Sequence, residues 1–348
     1  MPMKTRLLCI WLAGLIMFGF TSCAVTSINL NVLVPAEIHV PSEINKLVVI
    51  NRSLPGKEDK IRNVLEGVLT GEGLFVDRFG SEACINGLID GLNHSPRFTA
   101  MADPKAGATG TGTRRFPQPL DWVTVQRICR ENNADALLAL EVFDSNNRLA
   151  FHNEQRTTRE NGKNVTHTVH IARMRCSVES GWRIYYPVNR SIVDANIFND
   201  WQQWSAEGPN QKAAQMGLPR QSNAVTDAGF FAGKQYSRRI SPTWINQPRL
   251  LYKNGNSDMK YASRLARSNQ WKDASAIWNK YTDTRDAKLS GRACFDLALA
   301  AEIEGDLQTA IQWTDKAYTR FNNRKALEYR KILEQRLNDQ QKLNEQIK

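Results

Sequence analysis

Two segments of this chain, 36 residues apart, share a pattern that paired helices satisfy. The later copy has Leu297, Ala298 and Ala301, then Gly305-Asp306-Leu307, Ala310, Trp313, Ala317 and Tyr318. The earlier copy has Tyr261-Ala262, then Asn269-Gln270-Trp271, Ala274, Trp278 and Tyr281. Small alanines at the crossing points let two antiparallel helices approach closely. Gly305 is placed for a left-handed turn between the helices, and Asn269, which tolerates that conformation, replaces it in the earlier copy. Each pair buries one face only by stacking on a neighbour. Two pairs are fewer than the three usually needed, so they are expected to dock on each other or on the preceding domain. A last helix, Asn323–Lys348, carries Leu327, Leu333, Leu337 and Leu343 amid many charges; it caps the pairs and frays at its end.

The region before the pairs alternates strands and helices. Lys46–Ile50 reads as a buried strand ending in the turn residues Asn51-Arg52-Ser53 and Pro55-Gly56. Residues 58–70 read as a helix, interrupted at Gly71-Glu72-Gly73. Asp77–Leu92 follows as a helix with Ala83, Cys84, Leu88 and Leu92 on one side, then a short strand at Arg97–Met101. Residues 102–120 form a Gly/Thr/Pro loop. Asp121 caps a helix to Glu131, ended by Asn132-Asn133. Ala134–Phe143 is a central strand. From 147 to 206 the pattern becomes a meander of short strands: Leu149–Gln155, Val165–Val178, Trp182–Tyr186 and Ser191–Trp204, with turns at Asn161-Gly162 and Ser180-Gly181. A helix over Asn223–Arg239 and a strand at Leu250–Tyr252 close the domain. This order predicts an α/β (α+β) sandwich with a mixed sheet over 44–253, followed by an all-α helical hairpin domain over 257–348.

The repeat pattern resembles the tetratricopeptide repeat, whose period is about 34 residues. That resemblance makes Ala262, Trp271, Ala274, Trp278, Leu297, Ala298, Gly305, Ala310, Trp313 and Ala317 either packing residues or the lining of a partner groove. Leu47–Ile50, the helix before Ser95-Pro96-Arg97-Phe98, and the Asp135–Val142 strand resemble the domain shared by the TolB amino-terminal region, the curli-secretion lipoproteins and the penicillin-binding-protein activator lipoproteins. Those relatives are functionally mixed, so the resemblance implies a fold and no activity.

At the amino terminus, Lys4 and Arg6 precede an apolar run from Leu7 to Phe20, too short to span a bilayer. It ends in Thr21-Ser22-Cys23 and resembles the lipobox of bacterial lipoproteins. The resemblance implies a signal peptide over 1–22, a diacylated Cys23, and a tether and extended arm over 23–43. Two or three acyl chains give stable anchoring. Ala24 after the Cys suggests, by analogy with Gram-negative sorting, the periplasmic face of the outer membrane. With the two-domain layout, the chain resembles lipoproteins of the Bacteroidota. Of the other cysteines, Cys84, Cys129, Cys176 and Cys294 show no ligand spacing. A Cys84–Cys129 bridge and four buried free thiols are both open.

The formal net charge of +11 is uneven. Residues 145–255 carry 15 Lys/Arg against 7 Asp/Glu, whereas residues 24–144 carry 12 against 15. Arg148, Arg156, Arg159, Arg173, Arg175, Arg183 and Arg190 make the meander basic. With Trp201 and Trp204 as stacking platforms, Arg173, Arg175 and Arg183 form a candidate surface for an acidic glycan or lipid. Nucleic acid fits by charge, but export makes it a poor partner. The plainer alternative is solvated arginines, with one of the two tryptophans packed in the core and the other exposed.

No constellation for catalysis stands out. His167 and His170 lie three apart in a strand and so face opposite ways, which argues against a shared metal. Gly107–Gly112 lacks the Lys-Ser/Thr of a phosphate-binding loop. Asn51, Arg52 and Ser53 sit at the carboxyl end of a strand, where α/β sheets often hold ligands. The expectation is a non-catalytic, membrane-anchored envelope scaffold for a protein partner, without cofactor, metal or nucleic acid. A module for an acidic glycan or lipid is the alternative, and a hydrolase with an unfamiliar site ranks last.

Overall fold

The computed structural model describes residues 25–54, 71–106, 110, 112 and 114–347. The signal peptide, Cys23 and the helix expected over 58–70 lie outside the described residues. The chain divides into two compact units. One comprises the described residues up to Leu30 with Gln247–Glu334; the other comprises Asn31–Asn246 with the residues from Gln335 onward. Strand β1 (Val25–Val34) pairs with β7 (Thr243–Tyr252), and each has one end in either unit.

The larger unit is a mixed sheet of β2 (Lys46–Asn51), β3 (Thr99–Ala102), β4 (Ala136–Glu160), β5 (Lys163–Tyr186) and β6 (Ser191–Gly208), in the order β3-β2-β4-β5-β6. β3, β2 and β4 are parallel, with Val48 opposite Met101 and Leu137. β5 and β6 add antiparallel. Because β2 and the start of β4 are covered on both faces, they read as unbroken apolar runs.

One face carries α1 (Gly71–Asn93) and α4 (Gln221–Ile240), packed through Cys84, Leu88 and Leu92 and through Ala228, Ala232 and Tyr236. The other face carries α2 (Trp122–Glu131), packed through Val125, Ile128 and Cys129. Cys84 and Cys129 therefore lie on opposite faces of the sheet. They, Cys176 and Cys294 are buried free thiols, so the bridge held open on sequence grounds does not form. Burial pushes the Cys129 thiol up to about 12 and those of Cys176 and Cys294 up to about 11.

Three sequence expectations are corrected. The chain is helical from Gly71, where an interruption was expected; a helical glycine costs about 1 kcal/mol and does not forbid the helix. Ala134–Phe143 and Leu149–Gln155 belong to one strand, as do Val165–Val178 and Trp182–Tyr186. Ser180-Gly181 is no turn: Gly181 stays in the ladder opposite Val142, beside a register shift between Leu140 and Val142. A Cβ on Gly181 would come within 2.9 Å of Val142 Cβ, so the glycine serves close strand approach. The real turn is Asn161-Gly162, with φ of 49° and 79°, as a two-residue hairpin requires. A short helix, α3 (Gln211–Met216), covers the end of β6 and was not foreseen.

The smaller unit contains two helical hairpins, α5 (Ser257–Arg267) with α6 (Trp271–Asn279) and α7 (Ala287–Glu304) with α8 (Leu307–Thr319). Asn269 (φ 61°) and Gly305 (φ 84°) make the left-handed turns. Within this unit the buried Arg249 forks onto Glu302 at 2.9–3.1 Å, and Tyr329 of α9 (Arg324–Gln346) donates to the same carboxylate. The far end of α9, expected to fray, is held instead. Gln346 accepts from the Ala36 N–H at 2.8 Å and donates to the Ala36 carbonyl at 3.1 Å. The arm from Ala36 to Ile44 is likewise docked in the larger unit, with Val40 and Ile44 in its core.

Helices α1 and α4 touch backbone to backbone. A Cβ on Gly87 would lie 2.0 Å from the Phe230 carbonyl oxygen, and one on Gly233 would lie 1.8 Å from that of Cys84. No side chain can move aside to make room. Gly233→Ala should therefore cost about 1–3 kcal/mol of stability in urea unfolding followed by circular dichroism; an unchanged midpoint would contradict this packing.

Candidate functional site

Beyond the helical layers, β4, β5 and β6 run on as a ribbon, and the register assigns each residue to a face. On one side three rungs follow one another: Asn146–Ser177–Trp201, Arg148–Arg175–Gln203 and Ala150–Arg173–Ser205. All nine residues are exposed. The Arg175 guanidinium lies over the Trp201 ring, 4.3 Å from its centroid, and Trp201 is 52% exposed. Arg148 and Arg175 stand directly opposite each other. Like charges at that spacing repel. Among the described residues none of Arg148, Arg173 and Arg175 is within ion-pair distance of a carboxylate. At the β4 edge, Arg148 also lines a hollow of about 650 Å³ with Lys212, Arg220, Leu149 and Met174.

Two residues of the predicted cationic surface lie elsewhere. Trp204 is three residues from Trp201, and in a strand that spacing puts it on the opposite face, half-buried against the helix-covered core. Arg183 is on the same side of the sheet as Arg175 but at its inner end, 6% exposed beneath residues 116–120. Its Nη1 donates to Glu141 at 3.2 Å, Tyr185 Oη at 3.0 Å and the Pro117 carbonyl at 3.3 Å, and Phe116 lies 4.6 Å from the guanidinium.

Glu141 is the centre of that buried cluster. It accepts from Arg52 at 2.8 and 3.1 Å and from Tyr185 Oη at 2.6 Å. Burial pushes its carboxyl above the ordinary range, opposed by the Tyr185 bond and by Arg52 and Arg183. Burial, with the nearby Glu141 charge, also raises the Tyr185 phenol. The residues at the carboxyl end of β2 are thus committed to internal bonds. Arg52 binds Glu141 and the Gln118 carbonyl. Asn51 donates to Ser81 and accepts from the Ser53 amide and hydroxyl. Glu141 and Tyr185 escaped sequence reasoning because a single Glu within an apolar strand gives no hint of two distant arginines.

The hairpin residues are packing residues. Ala262, Trp271, Ala274, Trp278, Leu297, Ala298, Ala310 and Ala317 are buried, and Trp271 and Trp278 contact each other with centroids 6.4 Å apart. Gly305 is the αL cap of α7. Trp313 is half-exposed, with Lys316 5.3 Å from its ring centroid. Buried alanines cannot line a groove, so a partner would meet other side chains of these helices. Among the exposed ones are Tyr261 and Tyr318.

His167 and His170 occupy opposite faces; His167 Nε2 lies 3.0 Å from Glu160. Among the described residues no group of three or more His, Cys, Asp or Glu is placed to hold a metal ion. No helix among them is long and apolar enough to cross a membrane.

These features define a mixed α/β domain with a protruding cationic ribbon, followed by paired helical hairpins. The chain belongs to the family described as a domain of unknown function, DUF8603, whose model matches residues 44–252. The model of a second, DUF6340, also described as a domain of unknown function, matches residues 260–335. Among solved structures, the chain is similar to that of a neuraminyllactose-binding hemagglutinin homolog from Helicobacter pylori. The identity is 10% and the TM-score 0.22, over 58% of this chain and 86% of that one. No curated protein matches the chain.

The two cationic clusters should respond to mutation to very different degrees. Glu141→Gln removes the buried carboxylate that both Arg52 and Arg183 bind and should cost about 3–5 kcal/mol in urea unfolding. Arg175→Gln on the open rung should change stability by less than about 0.5 kcal/mol.

Proposed function

We propose that the protein is a non-catalytic, lipid-anchored envelope protein that binds an acidic glycan on the open face of its ribbon. The observation that carries this reading is the Arg148–Arg175 rung: two guanidiniums face each other with no carboxylate between them, and Arg173 stands on the next rung. In the free protein that arrangement is repulsive. A polyanion laid across the strands would turn the repulsion into attraction, and same-face rungs recur about every 7 Å along a strand, which suits an extended chain better than a single ion. Trp201 offers a flat ring beside Arg175 for a sugar face. The anchor rests on the lipobox-like Thr21-Ser22-Cys23, which would hold the ribbon close to envelope polymers.

The test uses polygalacturonate as probe with the full mature chain. Wild type should bind with an affinity that falls steeply with salt. Arg173→Gln/Arg175→Gln should lose at least about ten-fold and flatten the salt dependence, and Trp201→Ala should weaken binding without changing that slope. Binding indifferent to salt or to the double variant would overturn the reading. Binding of anionic vesicles but not polygalacturonate would reassign the face to lipid.

A second reading, a scaffold for an envelope protein partner, is favoured by the exposed Tyr261 and Tyr318 on successive hairpins. Cys23→Ala should release the protein from the membrane fraction, and a cross-linked partner should disappear with it. A variant that stays membrane-bound argues against lipid anchoring.

A further inference from the structure

A second cationic site lies wholly within the smaller unit and is independent of the ribbon. A groove of about 570 Å³ opens between the start of α7 and the start of α9, lined by Tyr252, Lys288, Arg292, Phe321, Arg324 and Lys325 among others. Its walls are fixed. Asn323 donates to the Gly291 carbonyl at 2.9 Å and accepts from Tyr252 Oη at 3.1 Å, tying the start of α9 to α7 and β7. Gly291 lets that segment come close, since a Cβ there would lie 3.0 Å from Phe321 Cβ. Arg292 is oriented by the Asn254 carbonyl at 2.8 Å and by the Tyr252 ring, 5.3 Å from its centroid.

The charge placement runs against ordinary helix chemistry. The first turn of a helix presents unpaired N–H groups and the positive end of its dipole, where acidic residues are favoured and cations are not. Here the first turns of α7 and α9 contain no acidic residue. Lys288 sits in the first, and Arg324 and Lys325 in the second. Asp286 caps α7 through the Leu289 N–H, and among the described residues no carboxylate comes within ion-pair distance of Lys288, Arg292, Arg324 or Lys325. Asp296, behind Tyr252, is fully buried and accepts from the Tyr252 N–H at 2.9 Å; burial pushes its carboxyl far above the ordinary range, opposed by that bond and by the charge of Arg292.

We infer that this groove binds a phosphate-bearing ligand. Four cations and two helix ends border one groove, and a multiply charged phosphate supplies the counter-charge that no carboxylate among the described residues gives those cations. Lys288, Arg324 and Lys325 contact the phosphate, Arg292 fixes its orientation, and Tyr252 and Phe321 border whatever the phosphate is attached to. A free phosphorylated molecule and a phospholipid headgroup share this chemistry.

The experiment measures binding of inorganic pyrophosphate to the full mature chain by titration calorimetry, and of vesicles containing phosphatidylglycerol by co-sedimentation. Arg324→Gln/Lys325→Gln should weaken binding at least about ten-fold, while Arg173→Gln/Arg175→Gln leaves it unchanged. Pyrophosphate binding with this dependence assigns a soluble ligand; vesicle binding alone with this dependence assigns a headgroup. Without ligand at low salt, the Arg324/Lys325 variant should melt roughly 1–4 °C higher, because the conflict with the helix dipole is gone. No binding of either probe, binding unaffected by the variant, or a lower melting temperature of the variant would overturn the inference.

Discussion

The β4–β5 ladder is the interaction on which the larger unit depends. It runs, with one register shift, from the Leu137–Tyr185 pair, buried among helices, to the Glu160–Lys163 pair at an exposed turn. At the inner end its side chains fill two cores, one on each face. At the outer end the same ladder holds arginines in register. A hydrogen-bonded ladder does not specify side-chain chemistry, so one pair of strands can serve as core and as display surface. The shift at Leu140/Val142 lies between the two regimes. It places Glu141 against Arg52 and Arg183, where a buried carboxylate can serve two guanidiniums.

Among the described residues, three of the fates that cationic side chains meet bear on function. Arg183 and Arg52 are buried and neutralised, and Arg249 is likewise buried on Glu302. Arg156, at the outer end of the ribbon, is paired with Glu207 and Glu154 in the open. Arg148, Arg173 and Arg175 are displayed without a carboxylate, as are the cations around the α7–α9 groove. A basic composition alone does not separate these cases. The partner decides, and the partner comes from another strand or helix. Both proposals rest on the third fate, in which the fold holds like charges together at a cost that an anion would remove.

Local chemistry was the part most legible in the sequence. The Asp121 cap, the Asn161-Gly162 turn, and the left-handed Asn269 and Gly305 appear where residue type requires them. Gly181 is ambiguous in the sequence because glycine marks both turns and close strand approach, and only the opposing Val142 distinguishes them. Trp201 and Trp204 follow the alternative in which one ring packs and the other is exposed, and the period-two rule applied to His167 and His170 separates them as well. The glycine contacts between α1 and α4 were not seen, because Gly87 and Gly233 belong to helices far apart in the chain.

The sequence by itself determined the mixed α/β class, the following helical hairpins and the concentration of arginine in the middle of the chain, because these follow from periodicity and composition along the backbone. Only the tertiary structure decided which arginines are spent inside. It also decided that Trp204 packs against the core while Trp201 remains exposed, and that the end of α9 closes on Ala36. Those outcomes depend on cross-strand register and on contacts between residues as far as 310 positions apart, which a local reading does not reach.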